Sequence, residues 1–166
     1  MTESKNSHSP SWRFLFDHPA HFLACGLGSG LSPVAPGTAG TLFAWLSYPW
    51  LREHFGEIDF LEFLVVAFAL GIYACEKTGR DLGVPDHGAM VWDEIVPFWL
   101  VLLLCPADPW WQFTAFVLFR AFDIVKPPPI RQLDRSLKNG FGVMLDDLMA
   151  AAYTLLVLAL LKALLN

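Results

Sequence analysis

The segment FRAFDIVKPPPIRQLDRSLKNGFGVMLDD, Phe119 to Asp147, sets nine charged residues between two strongly apolar stretches, and no other feature constrains the fold as much. A helix running from Trp110 to Val125 has to stop near Lys126, because Pro127 disfavours helical geometry in the residue before it. Pro128 and Pro129 extend the break, so Lys126 is expected to turn extended. Mixed charge of this density beside an aliphatic tail suggests an ion and an anion handled together.

The acids in this segment have two readings each. Asp123 falls in a last helical turn, where a carboxylate faces the negative end of the helix dipole and needs a compensating cation. Lys126 or a metal would serve, and so would a plain solvated pair with Lys126 or Arg120. Asp146 and Asp147 precede Leu148 to Leu161, which are uncharged and mostly aliphatic. In the first turn of a helix beginning after Gly142 they would be favoured by the dipole alone. Neighbouring helix positions point about 100° apart, so one acid can face inward while the other stays wet.

A 166-residue chain is most simply one domain with a sizeable core. Residues 1 to 10 read as a disordered tail and 11 to 166 as a single helical domain. Hydrophobic residues make up 55% and charged ones 16%, greasier than an ordinary soluble domain, which points to a membrane. The formal net charge of −5 argues against a nucleic-acid partner, whose phosphates are bound mainly through Lys and Arg. Cys25, Cys75 and Cys105 lie far apart in apolar surroundings and read as buried thiols in a reducing compartment. The polar N-terminus lacks the apolar core of a signal peptide.

From Pro19 to Leu51 there is no Lys, Arg, Asp or Glu, yet Gly26, Gly28, Gly30, Pro33, Pro36, Gly37 and Gly40 forbid one continuous helix. The expectation is a short helix from Trp12 to Leu23, a loop GLGSGLSPVAPGTAG, and a helix capped by Thr38 or Thr41 that runs to about Leu51. Such a loop can bring backbone N–H groups close to an anion, or can simply be a tight crossing of packed helices. A further helix is expected from Phe60 to Leu82, with Glu76 and Arg80 spaced for an ion pair on a solvated helix end. Gly83-Val84-Pro85 breaks it, and Asp86 is placed to cap the next helix.

That next helix is expected to carry a second acidic constellation, DHGAMVWDE, before turning apolar from Ile95 to Ala107. Asp93 and Glu94 are hemmed in by Met90, Val91, Trp92, Ile95 and Val96, where ionised groups are costly and usually mark function or a paired network. Asp108 and Pro109 start the following helix, whose Trp110 and Trp111 suit a membrane interface or aromatic packing. The uncharged runs are short of the roughly 20 residues that cross a bilayer comfortably. Hydropathy alone leaves spanning and embedding equally open.

Three acidic clusters, a Gly-rich loop and a basic, Pro-broken segment converge on carboxylates holding Mg²⁺ against a phosphate. Magnesium takes hard oxygen ligands and keeps several waters, so two or three Asp or Glu suffice. No CxxxxxR loop, DxDxT segment or paired His motif is present, which leaves metal-assisted attack by water as the simplest phosphatase mechanism.

The blocks GLGSGLSPVAPGTAGTL, DHGAMVWDEIVPFW, FRAFDIVKPPPIRQLD and NGFGVMLDDLMA, in this order over residues 20 to 155, resemble the signature blocks of bacterial phosphatidylglycerophosphatase A. The resemblance implies an all-α bundle of about five to seven helices with a membrane-associated apolar face. It implies a Mg²⁺-dependent enzyme of phospholipid biosynthesis that converts phosphatidylglycerophosphate to phosphatidylglycerol and inorganic phosphate on the cytoplasmic face of the inner membrane. Carried over by position, Asp86, Asp93, Glu94, Asp123, Asp146 and Asp147 form the acidic centre. All but Asp86 are the candidate metal ligands, while Asp86, Asp93, Asp123 and Lys126 are the candidate catalytic residues. Lys126 is the phosphate contact, and Ser29, Thr38, Arg120 and Arg131 are candidate substrate contacts. Pro97 departs from the pattern, where Gly is expected. A phosphatase of a soluble ester, or a non-catalytic ion-binding membrane protein, remain the alternatives.

Overall fold

The structure is a computed structural model that describes residues 10–165, so all but the last residue of the expected N-terminal tail lies outside the described residues. Every regular element among them is helical: α1 (Trp12–Asp17), α2 (Pro19–Ala24), a 3-10 turn (Gly26–Leu31), α3 (Pro36–His54), α4 (Glu57–Leu82), α5 (Trp92–Leu104), α6 (Pro109–Val125), α7 (Ile130–Ser136) and α8 (Gly140–Leu165). Five longer helices, α3 to α6 and α8, make the bundle. The short ones flank and connect it.

Several boundaries differ from expectation, each for a local reason. The first helix is two, because Pro19 drives His18 to extended geometry, where its imidazole accepts from the Ala20 N–H. The glycine-rich stretch is not all loop. Part of it is the 3-10 turn, and α3 opens at Pro36 itself, since proline suits a first helical position. Neither Thr38 nor Thr41 is therefore the cap. Asp86 is not one either: the chain from Asp86 to Val91 is non-helical, the His87 ring accepts from the Ala89 N–H, and α5 starts only at Trp92. Asp108 does cap α6, accepting from the Trp110 and Trp111 N–H groups.

At its other end α6 stops at Lys126 as expected, but Lys126 is left-handed at φ 46° rather than extended. It closes the helix with an N–H bond to the Phe122 carbonyl, and the unforeseen helix α7 follows the prolines.

Cross-contacts fix the orientation of the bundle. Trp92 Nε1 donates to the Ala67 carbonyl, Trp99 Nε1 to the Ala44 carbonyl and Trp45 Nε1 to Gln112. With Thr41 at Glu94, Phe63 at Trp99, Arg120 at Thr41, the Gly140 N–H at Glu76 and Gly71 against Met144, these pairings run α3, α5 and α8 one way and α4 and α6 the other. Phe60, Ile95, Phe98, Phe119 and Met144 are fully buried between them. One end of the bundle thus collects the N-termini of α3, α5 and α8 with the C-termini of α4 and α6. That end receives the charged segments.

α4 and α8 are each long and apolar enough to cross a membrane. Only 33% and 22% of their apolar windows is buried within the protein, so most of that surface faces outward rather than into a core. Exposed Leu46, Val65, Val117, Ile124, Leu156 and Leu160 continue the apolar belt around the bundle.

Candidate active site

Asp93 and Glu94 sit in the first turn of α5, where the helix dipole favours negative charge. Asp93 is buried and its Oδ1 has no hydrogen-bond partner. Burial pushes its carboxyl well above the usual range, and the nearby charges of Glu94, Asp86, Asp146 and Asp123 push it the same way. Its neighbour Glu94 and three acids from three other segments thus bear on one buried carboxylate. Burial likewise lifts Glu94 to about 8, against the opposing pull of Arg120.

Asp146 and Asp147 were expected in a first turn with one side wet. They lie instead in the second and third turns of α8, because the helix begins at Gly140, and both are buried. The dipole therefore does not account for them. Asp146 accepts from the Asp147 N–H at 3.1 Å and is ion-paired to Lys126. Asp147 Oδ1, like Asp93 Oδ1, is buried with no partner. Buried oxygens normally find a donor, so two orphaned carboxylate oxygens mark a place built for something else.

Arg120 ties the third acid in. Its Nη1 donates to Glu94 Oε2 at 2.5 Å and to Asp123 Oδ2 at 2.8 Å. Thr41 Oγ1 adds a bond to Glu94 Oε2 at 3.2 Å. The cation compensating Asp123 is therefore Arg120, while Lys126 turns away to Asp146 and to Asp134 Oδ1 at 3.3 Å. Burial alone would lower the pKa of Lys126, but Asp146, with Asp147 and Asp86 beyond it, outweighs burial and holds the ammonium above its usual range. A lysine in left-handed backbone is uncommon and is sustained only where its surroundings over-determine it. Here two carboxylates do so.

The other candidates are placed less centrally. Asp86 is exposed at the rim. Ser29 Oγ donates to the Gly26 carbonyl inside its own turn at 2.7 Å. The Gly28, Gly30 and Ser32 N–H groups are likewise spent on carbonyls within that turn. Of the glycine-rich stretch, the first turn of α3 comes against the acids, with Gly37 beside Glu94 and Thr38 half-buried. Arg131 is exposed on α7 and donates to the Val125 carbonyl.

Two participants escaped the sequence reading. Asp134 joins Lys126 to Lys138: the second is an i,i+4 pair that spacing offers, while the first reaches back across the proline break. Gly37 packs so closely that a Cβ there would lie 2.1 Å from Glu94 Oε1 and 2.8 Å from Arg120 Nη2. Gly37→Ala is therefore expected to displace the Glu94–Arg120 pair, costing about 1–3 kcal/mol of stability as an overpacked site does. Thermal melting with parallel activity measurement checks it.

Among the described residues no three His, Cys, Asp or Glu side chains are grouped closely enough to hold a metal ion as they stand. The orphaned oxygens of Asp93 and Asp147 are nonetheless hard, anionic donors, which is the chemistry a magnesium site requires.

The family model described as PgpA, phosphatidylglycerophosphatase A, matches residues 22–162. The chain belongs to the phosphatidylglycerophosphatase A family. A Haemophilus influenzae protein of that name is 49% identical over 158 residues, 95% of this chain and 94% of its own length. The Escherichia coli phosphatidylglycerophosphatase A is 40% identical over 139 residues, 83% and 80% of the two chains. A Bacteroides thetaiotaomicron protein with the provisional name phosphatidylinositol-3-phosphatase is 40% identical over 144 residues, 82% and 89%. No solved structure matches the chain. Membership of the phosphatidylglycerophosphatase A family makes this an enzyme of the phosphatase class, and its acidic end the place to look for the chemistry.

Proposed function

We propose that the protein is a Mg²⁺-dependent phosphatase that hydrolyses phosphatidylglycerophosphate to phosphatidylglycerol and inorganic phosphate. The observation that carries this reading is the pair of buried, orphaned oxygens on Asp93 and Asp147, carboxylates of different helices near enough to feel each other's charge, with Lys126 ion-paired to the adjoining Asp146. Asp93 and Asp147 would hold Mg²⁺, with Glu94, Asp123 and Asp146 close by. Bound there, Mg²⁺ would neutralise charge developing on the phosphoryl group and acidify water.

The remaining work falls to the chain itself. Lys126 can turn from Asp146 toward an incoming phosphate and bind its oxygens. Arg120 keeps Glu94 and Asp123 in register, so that the acids do not splay apart. The N-terminus of α3 presents the positive end of a helix dipole to the same anion.

The exposed apolar belt supports a membrane setting. With α4 and α8 in the bilayer, the acidic end carries Lys77, Arg80, Arg120, Lys126, Arg131, Arg135 and Lys138, whereas Arg52 and Lys162 lie toward the other end. The tendency of positive residues to stay on the cytoplasmic side supports a site at the cytoplasmic face. Exposed Trp50 and Trp110 then suit the opposite interface.

The test is phosphate release in detergent micelles with and without Mg²⁺, on phosphatidylglycerophosphate, on phosphatidylinositol 3-phosphate and on a water-soluble phosphomonoester. Mg²⁺-dependent release, fastest from the first, is the expected result. Faster release from the inositol lipid or the soluble ester would reassign the substrate, and no release from any of them would refute the phosphatase reading.

A further inference from the structure

Beside the acidic centre, a depression lies between the end of α4 and the start of α8, lined by Glu76, Gly79, Arg80, Gly83, Lys138 and Asn139. Glu76 is already committed at both oxygens. Oε1 accepts from Arg80 Nη2 at 2.6 Å, and Oε2 accepts from the Gly140 N–H at 2.7 Å. What remains open toward solvent is cationic: the Arg80 side chain is 75% exposed and that of Lys138 is 54% exposed. The pairing of Glu76 with Arg80 is therefore more than a solvated helix end, since it anchors α4 to α8 and presents the guanidinium.

This depression is joined to the active site by one carboxylate oxygen. Asp134 Oδ1 bonds Lys126 Nζ at 3.3 Å and Lys138 Nζ at 3.5 Å. The two ammonium groups can be no farther apart than those distances laid end to end. The proposed substrate carries two phosphates separated by a three-carbon glycerol unit, a terminal monoester and an internal diester. Two anions a few bonds apart match two cations that share a single acceptor.

On its other side the depression runs into a second one, which shares Glu76, Arg80 and Asn139 and continues over Ala69, Ile72, Tyr73 and Phe141. Tyr73 and Phe141 are exposed aromatics, and Tyr73 lies on α4, one of the two helices suited to the bilayer. An anionic group at Arg80 and Lys138 would therefore have apolar chain on one side and the acidic centre on the other. A phospholipid diester has that arrangement.

We propose that Arg80 and Lys138 bind the internal phosphodiester of the lipid and so select a substrate with two phosphates. This rests on the lipid-phosphatase reading above. Charge-assisted bonds to a phosphate diester hold the lipid before and during the reaction alike, so their loss belongs mainly in KM. The two residues are positioning groups and touch no reacting atom.

The experiment compares the wild type with Arg80→Gln/Lys138→Gln and with Lys138→Arg. It measures kinetics on phosphatidylglycerophosphate and, by calorimetry, binding of dihexanoyl phosphatidylglycerol, which has the diester and no monoester. In the double variant both KM and Kd are expected to rise about tenfold or more, with kcat changing less than about threefold, and Lys138→Arg is expected to stay near wild type. Equal KM and Kd in wild type and double variant would overturn the diester site while leaving the enzyme's activity intact. A wild type that binds the short-chain lipid but releases no phosphate from phosphatidylglycerophosphate would instead sink the lipid-phosphatase reading.

Discussion

Asp93→Asn is expected to lower phosphate release at saturating Mg²⁺ by about a thousandfold, the scale on which a stabiliser of transition-state charge is lost. The amide preserves the shape of the side chain and removes the charge. Stability should move the other way in metal-free protein, because Asp93 is buried among Glu94, Asp86, Asp146 and Asp123 with one oxygen unpartnered. Neutralising it relieves that repulsion. Without Mg²⁺ the variant is therefore expected to melt at or above the wild-type temperature, and added Mg²⁺ should stabilise the wild type and not the variant. Near wild-type turnover would remove Asp93 from the site.

Lys126→Ala carries the second large effect, and its signature is different. The side chain is 23% exposed and its partner Asp146 only 6%. Removing the lysine leaves a buried carboxylate without its cation, at a cost of about 3 kcal/mol. Activity should fall about a hundredfold or more on both the lipid and a short-chain analogue, since both present the same phosphate. Shortening the acyl chains should mainly weaken capture, because those chains react with nothing. Unchanged kinetics on both substrates would place the phosphate elsewhere. Opposite stability changes in Asp93→Asn and Lys126→Ala distinguish an acid held for a metal from a cation held by acids.

Elements governed by local rules were legible in the sequence. Asp108-Pro109 marks the start of α6 because an acidic cap and a proline both satisfy orphan groups of a first turn. Pro127 marks its end, while the all-helical class is what the resemblance of the four blocks implied. Charge stranded in apolar sequence singled out Asp93 and Glu94, whereas gathering them with Asp123, Asp146 and Asp147 into one acidic centre was what the resemblance implied.

Partners were not. Lys126 is three residues from Asp123, yet it bonds Asp146 and Asp134, because a left-handed turn aims it across the bundle and Arg120 already occupies Asp123. Asp146 and Asp147 both lie inside, where one was expected wet, because that turn of α8 is enclosed by α4, α5 and α6, and α8 begins at Gly140, whose N–H donates to Glu76. The glycines of the N-terminal block look like an anion loop in sequence. In the fold, Gly30 makes room for the Ala89 carbonyl and Gly37 for the Glu94 carboxylate. Those are tertiary approaches, invisible to any local pattern.

The central claim is that Asp93 on α5 and Asp147 on α8 act as one site. A double-mutant cycle of Asp93→Asn and Asp147→Asn, read as kcat/KM for phosphate release from phosphatidylglycerophosphate, tests it most directly. If both carboxylates hold the same ion, either substitution alone empties the site and the double variant is expected to lose no more than the worse single one, within about threefold. Losses that multiply across the two positions would show two independent roles and contradict the shared site.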